Sequence, residues 1–337
     1  MISRPANARY DILGIGNAIV DIIAQVPEEF LVENGLSKGA MCLIDEAPAE
    51  ALLTKMGPTT VISGGSAANT IIGAAHFGSA GCFLGKVRND KLGGQFDADI
   101  RQASVDFPVA PAHSGPSTAR CFVLVTPDGQ RTMNTYLGAC QDLTEDDVDA
   151  ETIAASRIVY LEGYLWDPPA AKAAFVKAAK LAHAAGRLVA LSLSDAFCVG
   201  RYRDEFLGLI KDGFVDLLFA NEAELASLYE ETDFDRAIAA LQSTGILAAV
   251  TRSEKGCVIV STKIIMAVPA APIDSLVDTT GAGDLFAAGF ISGLVRDQDH
   301  VTCARLGALA AAEIIQHIGA RPKTDLKALA AANNIGL

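Results

Sequence analysis

Asp284 stands three residues after Gly281 in the run Asp278-Thr279-Thr280-Gly281-Ala282-Gly283-Asp284, and an apolar, helix-like stretch begins at Leu285. Glycines let a backbone turn so that successive N–H groups point at one spot. A helix start adds its partial positive charge there. Gly281, Ala282 and Gly283 therefore read as a phosphate-sized anion hole. A carboxylate beside such a hole suits a general base that takes a proton from an attacking hydroxyl. The plainer alternative is a glycine turn whose acidic first helical turn matches the helix dipole.

Two further runs carry chemistry-bearing residues. Gly64-Gly65-Ser66-Ala67-Ala68-Asn69 opens another predicted helix. Its glycines permit close backbone approach to a ligand, and Asn69 can donate to and accept from hydroxyls. The alternative is a helix start built of small residues for packing. Asn221-Glu222-Ala223-Glu224 begins a helix after a strand, with Asn221 as N-cap and Glu224 as its reciprocal partner. The functional alternative places Glu224 at the water shell of Mg²⁺, which prefers carboxylates through water. Two other glycine runs fail as nucleotide motifs. Gly14-Ile15-Gly16 lacks the third glycine of a dinucleotide fingerprint, and Gly81 to Val87 has neither the spacing nor the hydroxyl of a P-loop. No histidine lies at metal spacing, and His76 and His317 read as helix residues.

Positioning these runs requires a scaffold. Apolar strand-like segments at 157–161, 188–192, 215–219 and 246–250 alternate with helical stretches such as 170–184 and 235–242. That pattern predicts a parallel sheet covered on both faces. Ligands bind beyond the C-terminal strand ends of such sheets, where Asn221 and Thr251 fall. The stretches 16–41 and 118–136 read instead as antiparallel hairpins, the second turning at Pro127-Asp128-Gly129. A small antiparallel sheet beside a cleft makes a natural lid.

The net charge of −13 leaves no basic face for nucleic acid or an anionic membrane. Seven scattered cysteines with no C-x-x-C pair suggest neither a disulfide framework nor structural zinc, and fit a reducing cytoplasm. No apolar run reaches the ~18 residues of a membrane span, and the first residues lack a signal-peptide core.

Taken together, these residues resemble the ribokinase-type (pfkB) carbohydrate kinase family. Residues 278–284 are similar to its C-terminal signature. Gly64-Gly65-x-x-x-Asn69, with Gly85, Asp90 and Gly93 after it, is similar to its N-terminal one, and Asn221-x-x-Glu224 matches its N-x-x-E motif. The resemblance implies a single α/β ribokinase-like domain over 1–337. It would be a three-layer sandwich with a mostly parallel central sheet and a small antiparallel lid inserted from about 16–47 and 113–138. It also implies ATP and Mg²⁺, and a monovalent cation such as K⁺, for which Asp278 is the candidate. Within the family several stretches resemble the adenosine kinases. That implies Asn17 and Asp21 at the base and ribose, Tyr164 and Phe197 stacking on the base, and Leu137 covering them from the lid. Arg131 would reach the transferred phosphate from the lid turn. Thr251, Arg252, Gly256, Ala311 and Gly319 would lie along the ATP.

Three positions depart from the pattern: Ser253 replaces a customary glycine, Asp195 differs, and Arg120 is a cation in the lid strand that suits an acidic sugar. The expected activity is phosphorylation of a nucleoside 5′ hydroxyl, adenosine to AMP. Kinases of ribose, fructose or 2-keto-3-deoxygluconate are the alternative, and a silent nucleotide-binding regulator is disfavoured by the intact Asp284. Partners are small molecules, and both monomer and homodimer stay open.

Overall fold

The computed structural model describes residues 8–337. Nine strands form the main sheet, ordered Ile264–Val268, Cys257–Ser261, Leu247–Thr251, Leu217–Asn221, Leu188–Ser192, Ser156–Glu162, Tyr10–Ile15, Gly81–Leu84 and Val105–Asp106. Pairing is parallel from Leu247–Thr251 to the Val105 edge and antiparallel at the opposite edge. The central strands are continuous apolar runs because both faces are covered: every residue of Ser156–Glu162 is buried. The chain winds away from Tyr10–Ile15 in both directions, and right-handed crossovers then place helices on opposite faces. The Ser66–His76, Ala282–Leu294 and His300–Ile314 helices pack together, and Ala150–Ala154, Pro169–Ala184 and Phe234–Ser243 lie against other parts of the sheet. His317 lies just past the His300–Ile314 helix rather than within it.

The second sheet runs Met41–Leu43, Arg131–Tyr136, Ala119–Val125, Ile19–Gln25, Thr60–Gly64. It is mixed, not wholly antiparallel. The local hairpin 119–136 and the Thr60–Gly64 pairing are antiparallel, whereas Ile19–Gln25 and Met41–Leu43 pair in parallel. Only a tight turn dictates antiparallel pairing, and these two strands arrive from far away in the chain. The edge strand Thr60–Gly64 also lies outside the two lid segments expected. It matters because it leads directly into Gly65 and the Ser66–His76 helix.

Register decides which lid residues face the cleft. Asp21 pairs with Cys121 and Val20 with Arg120, so Asp21 and Arg120 lie on opposite faces. The Val20 face joins Ile22 and Phe122 in the main core. The other carries Cys121, Val123 and Val125 with Ile19, Ile23 and Met133. Among the described residues no helix is long and apolar enough to cross a membrane.

Candidate active site

Gly281 enters the Ala282–Leu294 helix from the left-handed region, at φ +80, and a Cβ there would lie 2.9 Å from that of Ala320. Gly283 differs: its backbone is helical and nothing lies within 4 Å of where its Cβ would be. No side chain caps this helix; the Ala282 N–H turns back to the Thr279 carbonyl at 3.2 Å, whereas the Gly283 and Asp284 N–H groups have no such carbonyl partner. Asp284 sits in that turn. The Ser66 hydroxyl donates to its Oδ1 at 2.7 Å and the Asn69 amide to its Oδ2 at 3.0 Å. Burial pushes the Asp284 carboxyl above its ordinary value, and the two hydrogen bonds and the Arg321 charge offset part of that rise.

The second glycine turn is shaped by what touches it. Gly65 has φ +95, and a Cβ there would lie 2.2 Å from the Asn17 carbonyl oxygen. A Cβ at Gly64 would lie 2.5 Å from the Asp21 carboxylate, which the lid strand lays across it. Burial pushes Asp21 up to about 6, against the pull of Arg321 and Arg131, while Asp284 raises it further. Asp21 and Asp284 thus feel one another across a shared cleft. Asn17 does not point freely into it. Its Nδ2 donates to Glu162 Oε1 at 2.8 Å, and its N–H donates to the same oxygen at 3.2 Å. The Ala67 N–H donates to Glu162 Oε2 at 2.7 Å. Glu162, 1% exposed, ties Asn17 to the start of the Ser66–His76 helix, and burial pushes it up to about 7. No local sequence motif marks it.

Arg131 is the first residue of its lid strand rather than part of the turn. It donates to Asp278 and, at 2.6 Å, to Thr280 Oγ1. Asp278 also accepts the N–H groups of Thr280 at 3.0 Å and Gly319 at 2.9 Å. Burial alone would raise Asp278, but these donors outweigh it and hold the carboxyl below its ordinary value. A monovalent cation at Asp278 would compete with Arg131.

Tyr164 and Phe197 follow the adjacent strands Ser156–Glu162 and Leu188–Ser192. The Tyr164 N–H donates to Ser194 Oγ at 3.2 Å, and burial together with Asp195, Asp284 and Glu224 raises its phenol. Ser194 is left-handed at φ +71, a strained non-glycine. It aims Asp195 to cap the Ala196–Lys211 helix through the Cys198 N–H at 2.6 Å. Phe197 stands 74% exposed with the Arg201 guanidinium 4.8 Å from its ring. Leu137, half-buried, follows the Arg131–Tyr136 strand.

Arg120 faces away from the cleft, contrary to its reading as an acidic-sugar ligand. It is 4% exposed, pairs with Glu50 at 2.5 Å and lies 5.3 Å from the Tyr136 ring. Strand parity is the reason. The cation that acts on both Asp21 and Asp284 is Arg321, whose contacts reach Asn69 and Ser63. No local motif announces it.

At the end of the Leu217–Asn221 strand, Asn221 and Glu224 form the capping box. The Asn221 N–H and Nδ2 donate to Glu224 at 2.9 and 2.6 Å, and the Glu224 N–H returns to Asn221 Oδ1 at 2.9 Å. Burial pushes Glu224 up to about 7, with Asp195 and Asp284 adding to the rise. Thr251 ends its strand. Arg252 pairs with Glu222 at 3.0 Å and lies 3.6 Å over the Phe234 ring. A Cβ at Gly256 would lie 2.1 Å from the Val268 carbonyl oxygen, so this glycine serves the hairpin's packing. Ser253 adopts φ +51, a conformation that glycine accepts more readily. Ala311 is half-buried on the His300–Ile314 helix, and Gly319 bonds to Asp278.

Among the described residues no group of three or more His, Cys, Asp or Glu forms a metal cage. Glu224 nonetheless lies in the field of Asp195 and Asp284. A single carboxylate there fits a magnesium ion held mainly by nucleotide oxygens and water, with Glu224 outside the water shell.

An uncapped helix start beside a half-buried carboxylate, under a second sheet, suits the transfer of a phosphoryl group to an alcohol. Similar proteins agree. Residues 41–326 match the family described as pfkB family carbohydrate kinase. The chain belongs to that family. It is 28% identical to an adenosine kinase of Saccharomyces cerevisiae, over 90% of this chain and 94% of that one. Among solved structures, an adenosine kinase from Sinorhizobium meliloti is 50% identical with a TM-score of 0.90, covering 97% of this chain and 100% of that one. A probable sugar kinase from Rhizobium etli is 47% identical with a TM-score of 0.91, covering 97% and 99%.

Proposed function

We propose that the chain phosphorylates the 5′ hydroxyl of a nucleoside, adenosine to AMP, with ATP as donor. The observation that carries this reading is the meeting of Asp21 and Asp284 across one cleft, with the Tyr164 phenol in the field of Asp284. Asp21 and Asn69 hold the ribose end and direct the hydroxyl at Asp284. Asp284 takes the hydroxyl proton as the oxygen attacks. The N–H groups of Ala282, Gly283 and Asp284 meet the charge that develops on the transferred phosphate, and Arg131 adds a cation from the lid. Magnesium, bound with the nucleotide, supplies further charge neutralisation there. Tyr164 and Phe197 stack on the base, and Leu137 closes the pocket. Asn221, Glu224, Thr251, Arg252, Gly256, Ala311 and Gly319 line the ATP side. The free cysteines fit action in a reducing cytoplasm.

The names of relatives support the adenosine reading most directly, but the Rhizobium etli protein and a maize fructokinase, 28% identical over 69% of this chain, favour a sugar. The choice is decided by ADP formation from the purified protein with adenosine, ribose, fructose and 2-keto-3-deoxygluconate. Adenosine should give the highest kcat/KM. Base–aromatic stacking is worth ~1–3 kcal/mol, so Tyr164→Ala should cost roughly 10-fold for adenosine and leave the ATP KM alone. A sugar that outperforms adenosine, unaffected by Tyr164→Ala, would remove the nucleoside reading and leave the kinase.

A further inference from the structure

Both ends of the Asn69 amide are engaged. Its Nδ2 donates to Asp284 at 3.0 Å, and its Oδ1 accepts from Arg321. The second Arg321 amino group donates to the Ser63 carbonyl and, at 2.8 Å, to the Ser63 hydroxyl. Ser63 belongs to the lid's edge strand Thr60–Gly64, and its own N–H is held by Asp99 at 2.6 Å. We propose that Arg321 is a positioning residue for the transfer step, orienting the Asn69 amide toward Asp284 and pinning the lid's edge strand at Ser63 beside it. The proposal rests on the reading of Asp284 as the base.

The orientation argument is chemical. A guanidinium only donates, and an ionised carboxylate only accepts. Set between them, the Asn69 amide satisfies both only with its oxygen toward Arg321 and its NH₂ toward Asp284. The flipped amide would meet like against like at both ends. Without the guanidinium only Asp284 biases that choice, and the amide that donates to it is no longer held from behind. Arg321 also lies among the charges that set the cleft's field. These are Asp21 and Arg131 on the lid, Asp99 on the Lys91–Gln102 helix, Asp284 itself, Glu162 at its strand end and Glu224 across the cleft. Arg321 pulls both Asp21 and Asp284 down. Removing it lets burial raise Asp284 further, so the ionised base appears only at higher pH.

The test is the pH profile of kcat/KM for wild type, Arg321→Met and Arg321→Lys, each with and without Asn69→Ala. Arg321→Met should lower kcat roughly 10- to 100-fold, the scale of a misplaced catalytic geometry. The ATP KM should hold, and the acid limb should move up by on the order of one pH unit. Arg321→Lys should return the limb toward wild type without restoring kcat, because an ammonium lacks the fork that spans Asn69 and Ser63. Asn69→Ala should add little once Arg321 is gone. An unmoved acid limb in Arg321→Met, or effects of the two substitutions that simply multiply, overturns the proposal. Should Arg321→Met fail to fold, wild-type kcat in Arg321→Lys overturns it. Asp284→Asn runs alongside. Full activity there removes the base reading itself, whereas an inactive Asp284→Asn with an unmoved limb in Arg321→Met removes only the role of Arg321.

Discussion

Gly65 and Gly281 both enter a helix from the left-handed region, at φ +95 and +80, and neither helix carries a side-chain cap. What lies over each start separates them. Over the first, the Glu162 carboxylate accepts the Ala67 N–H, and the Asp21 carboxylate lies against Gly64. The protein's own anion fills that start, so the turn is held rigid and serves to place Ser66 and Asn69. Over the second, the space above Gly283 is open. On the proposed function, that space receives an anion from outside. The same local device then builds a positioning element in one place and a reaction site in the other. The distinction comes from a strand end, Glu162, far away in the chain. The two starts meet at Asp284, which belongs to the second helix and takes hydrogen bonds from the first.

The sharpest way to break this comparison is Asp284→Asn. It keeps the shape of the second start and removes its base. Loss of a general base costs ~10²–10⁴ in rate, and substrate binding should change little. Near-wild-type turnover of the folded variant in steady-state assays would make both starts structural.

Gly281 and Gly283 separate conformation from ligand space. A side chain at Gly281 is strained by its left-handed backbone, at ~1–3 kcal/mol, and meets Ala320, so Gly281→Val should lower the Tm as well as turnover. Gly283→Val faces no such obstacle. It should keep the Tm near wild type yet lower turnover strongly, by filling the space where the phosphate belongs. Full activity in Gly283→Val would mean that the open space is not used.

Local sequence made the second start legible, since Gly281 to Asp284 lie together and the helix follows at once. The Asn221–Glu224 box and the buried parallel strands were legible for the same reason: each is specified within a few residues. Arg321 was not. Its partner Asn69 lies 252 residues away, and only the fold joins them. Glu162 was hidden likewise, 145 residues from Asn17. Arg120 misled because its face depends on the register of a parallel pairing between distant strands, which no turn specifies.

Glu162→Gln tests the filled start. Burial raises the Glu162 carboxyl from 4.5 to about 7 in the folded protein. Below pH ~4.5 both folded and unfolded chains are protonated and the group contributes nothing to the pH dependence. As pH rises toward 7 the unfolded chain ionises first, so stability falls. The shift corresponds to about 3 kcal/mol as an upper bound. Thermal unfolding at pH 5 and pH 8 should therefore show a smaller drop in Glu162→Gln than in wild type, although Asp21 and Glu224 keep part of it. An unchanged drop would mean that Glu162 does not titrate in this window.

The smallest expected effect joins the two starts. Ser66 is the first residue of the first helix, and its hydroxyl holds Asp284 at 2.7 Å. That bond lowers the Asp284 carboxyl and opposes the effect of burial. A hydrogen bond to a charged group contributes ~1.5–3 kcal/mol, but Asn69 remains in place and shares the load, so Ser66→Ala should cost roughly 10-fold in kcat/KM. The loss should be largest at low pH, because the base now needs a higher pH to ionise, and it should shrink as pH rises. A loss equal at every pH would assign Ser66 to geometry alone. No loss at all would mean that the two starts are neighbours without coupling, and that the first helix contributes to the chemistry only through Asn69.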